Sequence, residues 1–185
     1  MSIDNVHMIS ILYNPVHYIH RSFLPDFFIS NNSSDNMIAN SWILNKYQLS
    51  TLPDMWKPSD VILSSFIDNW HLASVIADLL GGYLLRSKLL SSKVDLTAVP
   101  YLSAFISLPL IHSVIISEIS GMPDITSYGV AFILSQFSDI PIALQQRLLL
   151  CFPAGLSLPI LHAERTMNNI NLLQMALNYA KNTCQ

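Results

Sequence analysis

Apolar residues along this chain recur mostly in steps of three and four, the spacing of one face of an α-helix. The clearest case is "DVILSSFIDNWHLASVIADLL", where Ile62, Phe66, Trp70, Ala73, Ile76 or Ala77, and Leu80 form one stripe. Ser59 or Asp60 stands where a cap accepts free backbone N–H groups, and Gly81-Gly82 where the helix is expected to stop. The same period returns from about Asn168, with Ile170, Leu173, Ala176 or Leu177, and Ala180. Met37 to Leu49 places Ile38, Trp42 and Ile43 on one face. "YLLRSKLL" starts a further helix or continues past a kink, and Asp139 with Pro141 opens "PIALQQRLLLCF", which Pro153 stops.

Polar stretches separate these elements. "ISNNSSDN", residues 29–36, reads as a loop, and "STLPDMWKPSD", with two prolines, as a second connector. Asn14-Pro15 predicts a short helix to about Arg21, ending before Pro25, because Asn caps and Pro at the first helical position loses no hydrogen bond. Five glycines leave few tight turns, although "MISILY" and "YGVAFIL" are β-prone and leave room for one short hairpin. The expected fold is mainly α: a single compact helical domain over residues 1–185, its helices broken at prolines.

Composition narrows the function classes. Hydrophobic residues make up 51% of the chain and charged residues only 11%, against roughly 25% charged in an average soluble domain. That shortage is met by serine and asparagine, which are abundant here, or by partners covering part of the surface, since large apolar patches mark interaction sites. The nine Lys and Arg stand singly along a chain of net charge −3. Nucleic-acid binding calls for a basic stripe to neutralise phosphates, so no nucleic-acid partner is expected. Cys151 and Cys184 form no CxxC spacing and read as reduced thiols of a cytosolic protein. "MSIDNVHMISILYNP" has no basic start and carries Asp4, so it does not read as a signal peptide.

Leu96 to Ser117 carries no formal charge and is long enough to cross a bilayer. Pro100, Pro109, His112 and five serines and threonines interrupt it, and Lys93, Asp95 and Glu118 give the flanks no positive-inside bias. Buried helices broken at the prolines are expected, with a small integral membrane protein using residues 96–117 as the alternative.

Candidate chemistry centres on "NPVHYIHRSFLP". His17 and His20, three apart, share a face if this stretch is helical. A zinc site needs three or four ligands, and the nearby candidates, His7 and Asp26, stand at no recurrent spacing. The stretch reads instead as an amphipathic turn with Val16 and Ile19 inward and His20 and Arg21 toward a polar partner or solvent. There is no phosphate-binding GxxxxGK[ST] and no GxGxxG, and "GLSLP" lacks the second glycine of a nucleophile elbow. Asp68 and Asp78 lie too far apart to pair, and Glu118 and Glu164 are the only glutamates. Trp70 falls on the stripe of Phe66 and Ala73, a core position. No catalytic, cofactor or metal site is expected, and the chain is not read as an enzyme.

Three stretches resemble one family. "ILYNPVHYIHRSFLP" is similar to the N-terminal signature of the OrgA/MxiK (SctK class) sorting-platform adaptors of bacterial type III secretion injectisomes. That signature runs from an apolar pair and an aromatic through an acidic residue before proline to Tyr-Ile-His and a later Leu-Pro. "NWHLASVIADLLGGYLLRSKLL" resembles the family's central helix and "LLQMALNYAKN" its C-terminal helix, in the same order along the chain. Asn14 replaces the usual Asp, and Ala73-Ser74 replaces a Leu-Pro that bends the central helix. The resemblance implies a non-enzymatic cytoplasmic adaptor at the inner-membrane face of the injectisome, associated with the membrane only through the ring. Its partners are then the C-ring or pod protein of the sorting platform and the cytoplasmic domain of the inner-membrane ring protein, with the stator and ATPase reached indirectly. Asn14, Pro15, Tyr18, Ile19, His20 and Trp70 carry over as motif and candidate partner-binding positions.

Overall fold

The computed structural model describes residues 5–25, 33–91, 100–116 and 124–184, and within them helix follows helix. In chain order these are α1 (Asn5–Tyr13), α2 (Ser33–Lys46), α3 (Val61–Asp68), α4 (Ala73–Leu84), α5 (Arg86–Ser91), α6 (Pro100–Ile106), α7 (Ile125–Gln136), α8 (Ile142–Leu150) and α9 (Met167–Thr183). The fold is therefore mainly α. Among the described residues β-pairing is confined to one isolated antiparallel bridge between Ile115 and His162. The chain divides into two compact units. One comprises Met1–His71 with Asp139–Leu156, and the other Leu72–Ser138 with Ser157–Gln185.

The first unit holds α1, α2, α3 and α8. Ile19, Ile43 and Leu150 form a buried cluster, with Val16, Tyr18, Phe23, Leu24, Trp42, Tyr47 and Leu49 packed around it. The Phe23 and Tyr47 rings meet edge to face at 5.5 Å, and the Tyr47 hydroxyl donates to the Phe23 carbonyl at 2.7 Å. Asp60 caps α3 as its position suggests, one carboxylate oxygen accepting from the Ile62 and Leu63 N–H groups at 2.8 Å each.

The second unit is built around α4. Ala73, Ile76, Ala77 and every residue from Leu79 to Leu84 are buried, the all-round burial of a helix at the centre of its neighbours α6, α7 and α9. Glycine allows the closest crossing. A Cβ on Gly81 would stand 1.8 Å from the Ile125 carbonyl oxygen, and one on Gly129 1.8 Å from that of Ala77. Two backbones thus touch where side chains ordinarily separate helices. Fully buried Tyr83 shares its hydroxyl hydrogen between the Leu108 and Leu110 carbonyls, and Arg86 donates to its oxygen. Buried Asn169 accepts from the Ser113 N–H at 2.9 Å and donates to the Glu164 carbonyl at 2.7 Å, tying two extended stretches to α9.

Several expectations are corrected. The helix read from Asp60 to Gly82 is two helices joined by a 3-10 turn at Trp70–Leu72. Asn69 makes the break, its side chain donating back to the Ser65 carbonyl at 2.7 Å and competing with the helical ladder. Gly81-Gly82 does not end α4, because Gly81 faces α7 inside the core. "MISILY" and "YGVAFIL" lie in α1 and α7: tertiary packing overrides their β-propensity, and no described strand is there to pair with them. The polar loop expected at 29–36 is helical from Ser33 onward, while 29–32 lie outside the described residues. Residues 96–117 are not one helix. Only Pro100–Ile106 is α-helical, residues 109–114 have no helical structure, and 96–99 and 117 lie outside the described residues. No described helix is long and apolar enough to cross a membrane.

Candidate functional site

The site grows from the unsatisfied carbonyls at the end of α1. A helix leaves its last four C=O groups without intrahelical partners, and here other parts of the first unit supply donors. Asn14 N–H reaches the Ser10 carbonyl at 2.9 Å, and the Tyr18 hydroxyl the Ile11 carbonyl at 2.6 Å. Arg147 of α8 takes the Leu12 carbonyl in a fork, Nε at 3.1 Å and Nη2 at 2.8 Å. Its Nη1 donates to the carbonyls of Ser50 at 2.9 Å and Ala143 at 2.7 Å. Arg147 is only 2% exposed. Burial pushes its pKa down, with Tyr18 and Tyr13 acting the other way, yet a guanidinium is so strong a base that it stays charged near neutrality. A positive group beside carbonyl ends also suits the negative end of the α1 dipole.

"NPVHYIHRSFLP" is not one capped helix. It forms two 3-10 turns, Pro15–His17 and Arg21–Phe23. Pro15 takes the first helical position, but Asn14 makes no side-chain cap. The Asn14 side-chain oxygen instead accepts from the Asn40 amide at 3.2 Å, and Asn40 Oδ1 accepts from the Val16 N–H at 2.9 Å. The two asparagines clamp the turn to α2. Because the chain bends after Tyr18, His17 and His20 do not share a helix face. His20 caps the second turn: its Nδ1 accepts from Ser22 N–H at 3.2 Å and lies 2.8 Å from Ser22 Oγ. Ser22 Oγ in turn accepts from Ala154 N–H at 2.8 Å. The His20 N–H donates to the Leu150 carbonyl at the end of α8 at 2.7 Å. Ile19, between them, is in the core.

Tyr18 and Trp70, far apart in sequence, meet edge to face at 6.2 Å, and Trp70 packs the same way on Phe66 at 5.8 Å. They line an open cavity of about 280 Å³ with Val6, His7, Ser10 and Ile11 of α1, with His17, and with Ile67, Asp68 and His71. The floor is apolar and aromatic. Trp70 is 5% exposed, and Asp68, His7, His17 and His71 are exposed at the rim. Burial raises the Tyr18 phenol above its ordinary value, opposed by the nearby Arg147 charge, which keeps the hydroxyl a donor. The Trp70 indole N–H is buried without a hydrogen-bond partner among the described residues. The Cys151 thiol near it is a weak acceptor, and burial pushes that thiol up to about 12, the indole lowering it only in part. A thiol so shifted holds almost no thiolate at neutral pH and is a poor nucleophile. Among the described residues no three His, Cys, Asp or Glu side chains are placed to hold a metal ion.

Of the motif positions, Tyr18 and Trp70 converge on the cavity, whereas Asn14, Pro15, Ile19 and His20 do not line it. Those four hold the turn against α2 and α8. Sequence reasoning missed Arg147 and Asn40. The signal for Arg147 was available: it sits on the buried stripe of α8 with Ala143, Leu144 and Leu148, where an apolar residue is expected. Arranged this way, the cavity can receive an apolar side chain between polar rim groups, and it presents no nucleophile paired with a base.

The model of the family described as "Bacterial type III secretion apparatus protein (OrgA_MxiK)" matches residues 8–182. No curated protein and no solved structure matches the chain.

Proposed function

Since the chain belongs to the OrgA/MxiK family of bacterial type III secretion apparatus proteins, we propose that it is the non-enzymatic adaptor of the sorting platform. In this reading it links the cytoplasmic domain of the inner-membrane ring protein to the C-ring or pod protein, and through that to the stator and ATPase. It works in the cytoplasm at the inner-membrane face, and its two compact units serve as one adaptor module. The observation that carries the reading is the extent of the family match, which runs through both units and through the whole 11–25 motif. Exposed apolar side chains add support. Val6, Ile9 and Tyr13 of α1, at helical spacing, are each more than half exposed, and a chain so poor in charge gains by covering such surface.

The test is co-expression with the pod protein and with the ring protein's cytoplasmic domain from the same secretion locus, followed by pull-down and size-exclusion chromatography. A discrete complex is expected. Tyr18→Ala and Trp70→Ala then separate two roles. Complex lost while the far-UV spectrum and melting point hold makes the cavity the docking site; complex retained returns both rings to a packing role. Well-folded protein that ignores both partners overturns the adaptor reading.

A further inference from the structure

Two non-glycine residues in the described chain have positive φ, Gln48 at 47° and Met55 at 59°. Gln48 has a structural reason: it closes α2, with the Leu49 N–H reaching back to the Leu44 carbonyl at 3.0 Å, and helices commonly end on such a residue. Met55 has none of that kind. It is the third residue of the turn Pro53–Asp54–Met55–Trp56, closed by the Trp56 N–H on the Pro53 carbonyl at 3.2 Å. Turns with positive φ at that position take Gly or Asn, because a side chain there crowds the backbone. Methionine accepts that strain with no packing in return, since it is 91% exposed, the highest value of any large hydrophobic residue described.

The connector that carries it is stiff. Ser50 is held at both backbone groups, its N–H by Gln146 at 2.7 Å and its carbonyl by Arg147 at 2.9 Å. At the far end Asp60 is fixed as the cap of α3, and Pro53 and Pro58 restrict the backbone between them. A flexible thioether is thus held out from the surface on a pre-ordered loop, the arrangement that lowers the ordering penalty of binding. Backbone strain with no internal return points outward, to function.

We propose that Met55 is an anchor that inserts into an apolar socket of a protein partner. Exposed Asp54 and Lys57 flank it, so the socket that fits carries a cation or amide beside Asp54 and a carboxylate beside Lys57. A lipid surface fits less well, because membrane docking draws on clustered basic residues and here one anionic and one cationic side chain stand together. The proposal rests on the adaptor reading for the identity of the partner.

The test uses the full-length chain with the pod protein and the ring protein's cytoplasmic domain in turn, measured by titration calorimetry. Met55→Gly suits the turn better, so its melting point is expected to hold or rise while affinity for one partner falls at least tenfold. Met55→Asn, which tolerates the same backbone, is expected to behave likewise, and Met55→Leu to bind within threefold of the unmodified chain. Unchanged affinity in both the Gly and Asn variants overturns the anchor and leaves the adaptor reading standing. Co-sedimentation with phosphatidylethanolamine–phosphatidylglycerol vesicles that disappears in Met55→Gly overturns it in favour of a lipid surface. Failure of the unmodified chain to bind either partner overturns the adaptor reading and this proposal with it.

Discussion

Single residues decide whether the first unit closes, and Arg147 decides most. A buried cation is ordinarily a liability unless every donor finds an acceptor. Here it makes four hydrogen bonds, all to carbonyls, three of which fix the end of α1 and the loop after α2 to α8, the fourth staying within α8. Arg147→Ala leaves the Leu12 and Ser50 carbonyls short of donors and opens a void. It is expected to lower unfolding stability by about 3 kcal/mol, from the range of charge-assisted hydrogen bonds. Arg147→Lys recovers only part of this, since an ammonium cannot reproduce the fork. Urea unfolding followed by tryptophan fluorescence reads both; equal stability in all three proteins refutes the role. At this scale the sequence was only half legible. Ile19 in the core and Pro15 at a helical first position could be read from residue type. The bonds of Asn14 to Asn40, of His20 to Leu150 and of Arg147 to Leu12 could not, because they span 26 to 135 residues along the chain.

Helices and their crossings were read more successfully than their ends. The 3.6-residue period found the start of α9 within a residue or two, and Asp60 and Asp139-Pro141 marked the starts of α3 and α8. Breaks without proline escaped, since Asn69 stops α3 through a side-chain bond that periodicity does not encode. Gly81 misled for a related reason: glycine serves helix ends and close crossings alike, and only the position of α7 distinguishes them. The crossing supplies its own test. Gly129→Ala drives a methyl into the Ala77 backbone, which cannot swing aside, and about 3 kcal/mol or more of stability is expected to be lost. Gly82→Ala meets the side chains of Leu102 and, less closely, Ile106, which can yield where backbone cannot, and its loss is expected to be clearly smaller. Thermal melts of the two variants check the order; Gly129→Ala melting as high as Gly82→Ala would sink the account.

For the whole molecule, scarcity of charge is the property the sequence revealed most directly. With 11% charged residues and no basic run, long-range steering contributes little to its associations, and buried apolar area contributes most. The dissociation constant of the proposed complex with the pod protein is therefore expected to change less than about threefold between 50 and 500 mM NaCl, a range over which the screening of exposed charges rises from partial to nearly complete. A hundredfold loss, measured by calorimetry at the two concentrations, would place charge rather than apolar contact at the interface. The candidate cavity was not legible, because a site made by juxtaposing Tyr18 with Trp70 has no signature in either stretch alone.

The order in which the chain visits its two units carries a consequence for biosynthesis. The first unit joins residues 1–71 to residues 139–156 made much later, and the Arg147 fork closes on Leu12 across 135 residues. At a translation rate of about 5 to 20 residues per second, α1 waits roughly 7 to 27 seconds on the ribosome before its arginine is made. The second unit waits in the same way for its own C-terminal helix. Until then the apolar faces of α1 to α4 have no finished core to enter, so the growing chain is expected to be prone to aggregation and to gain from chaperones.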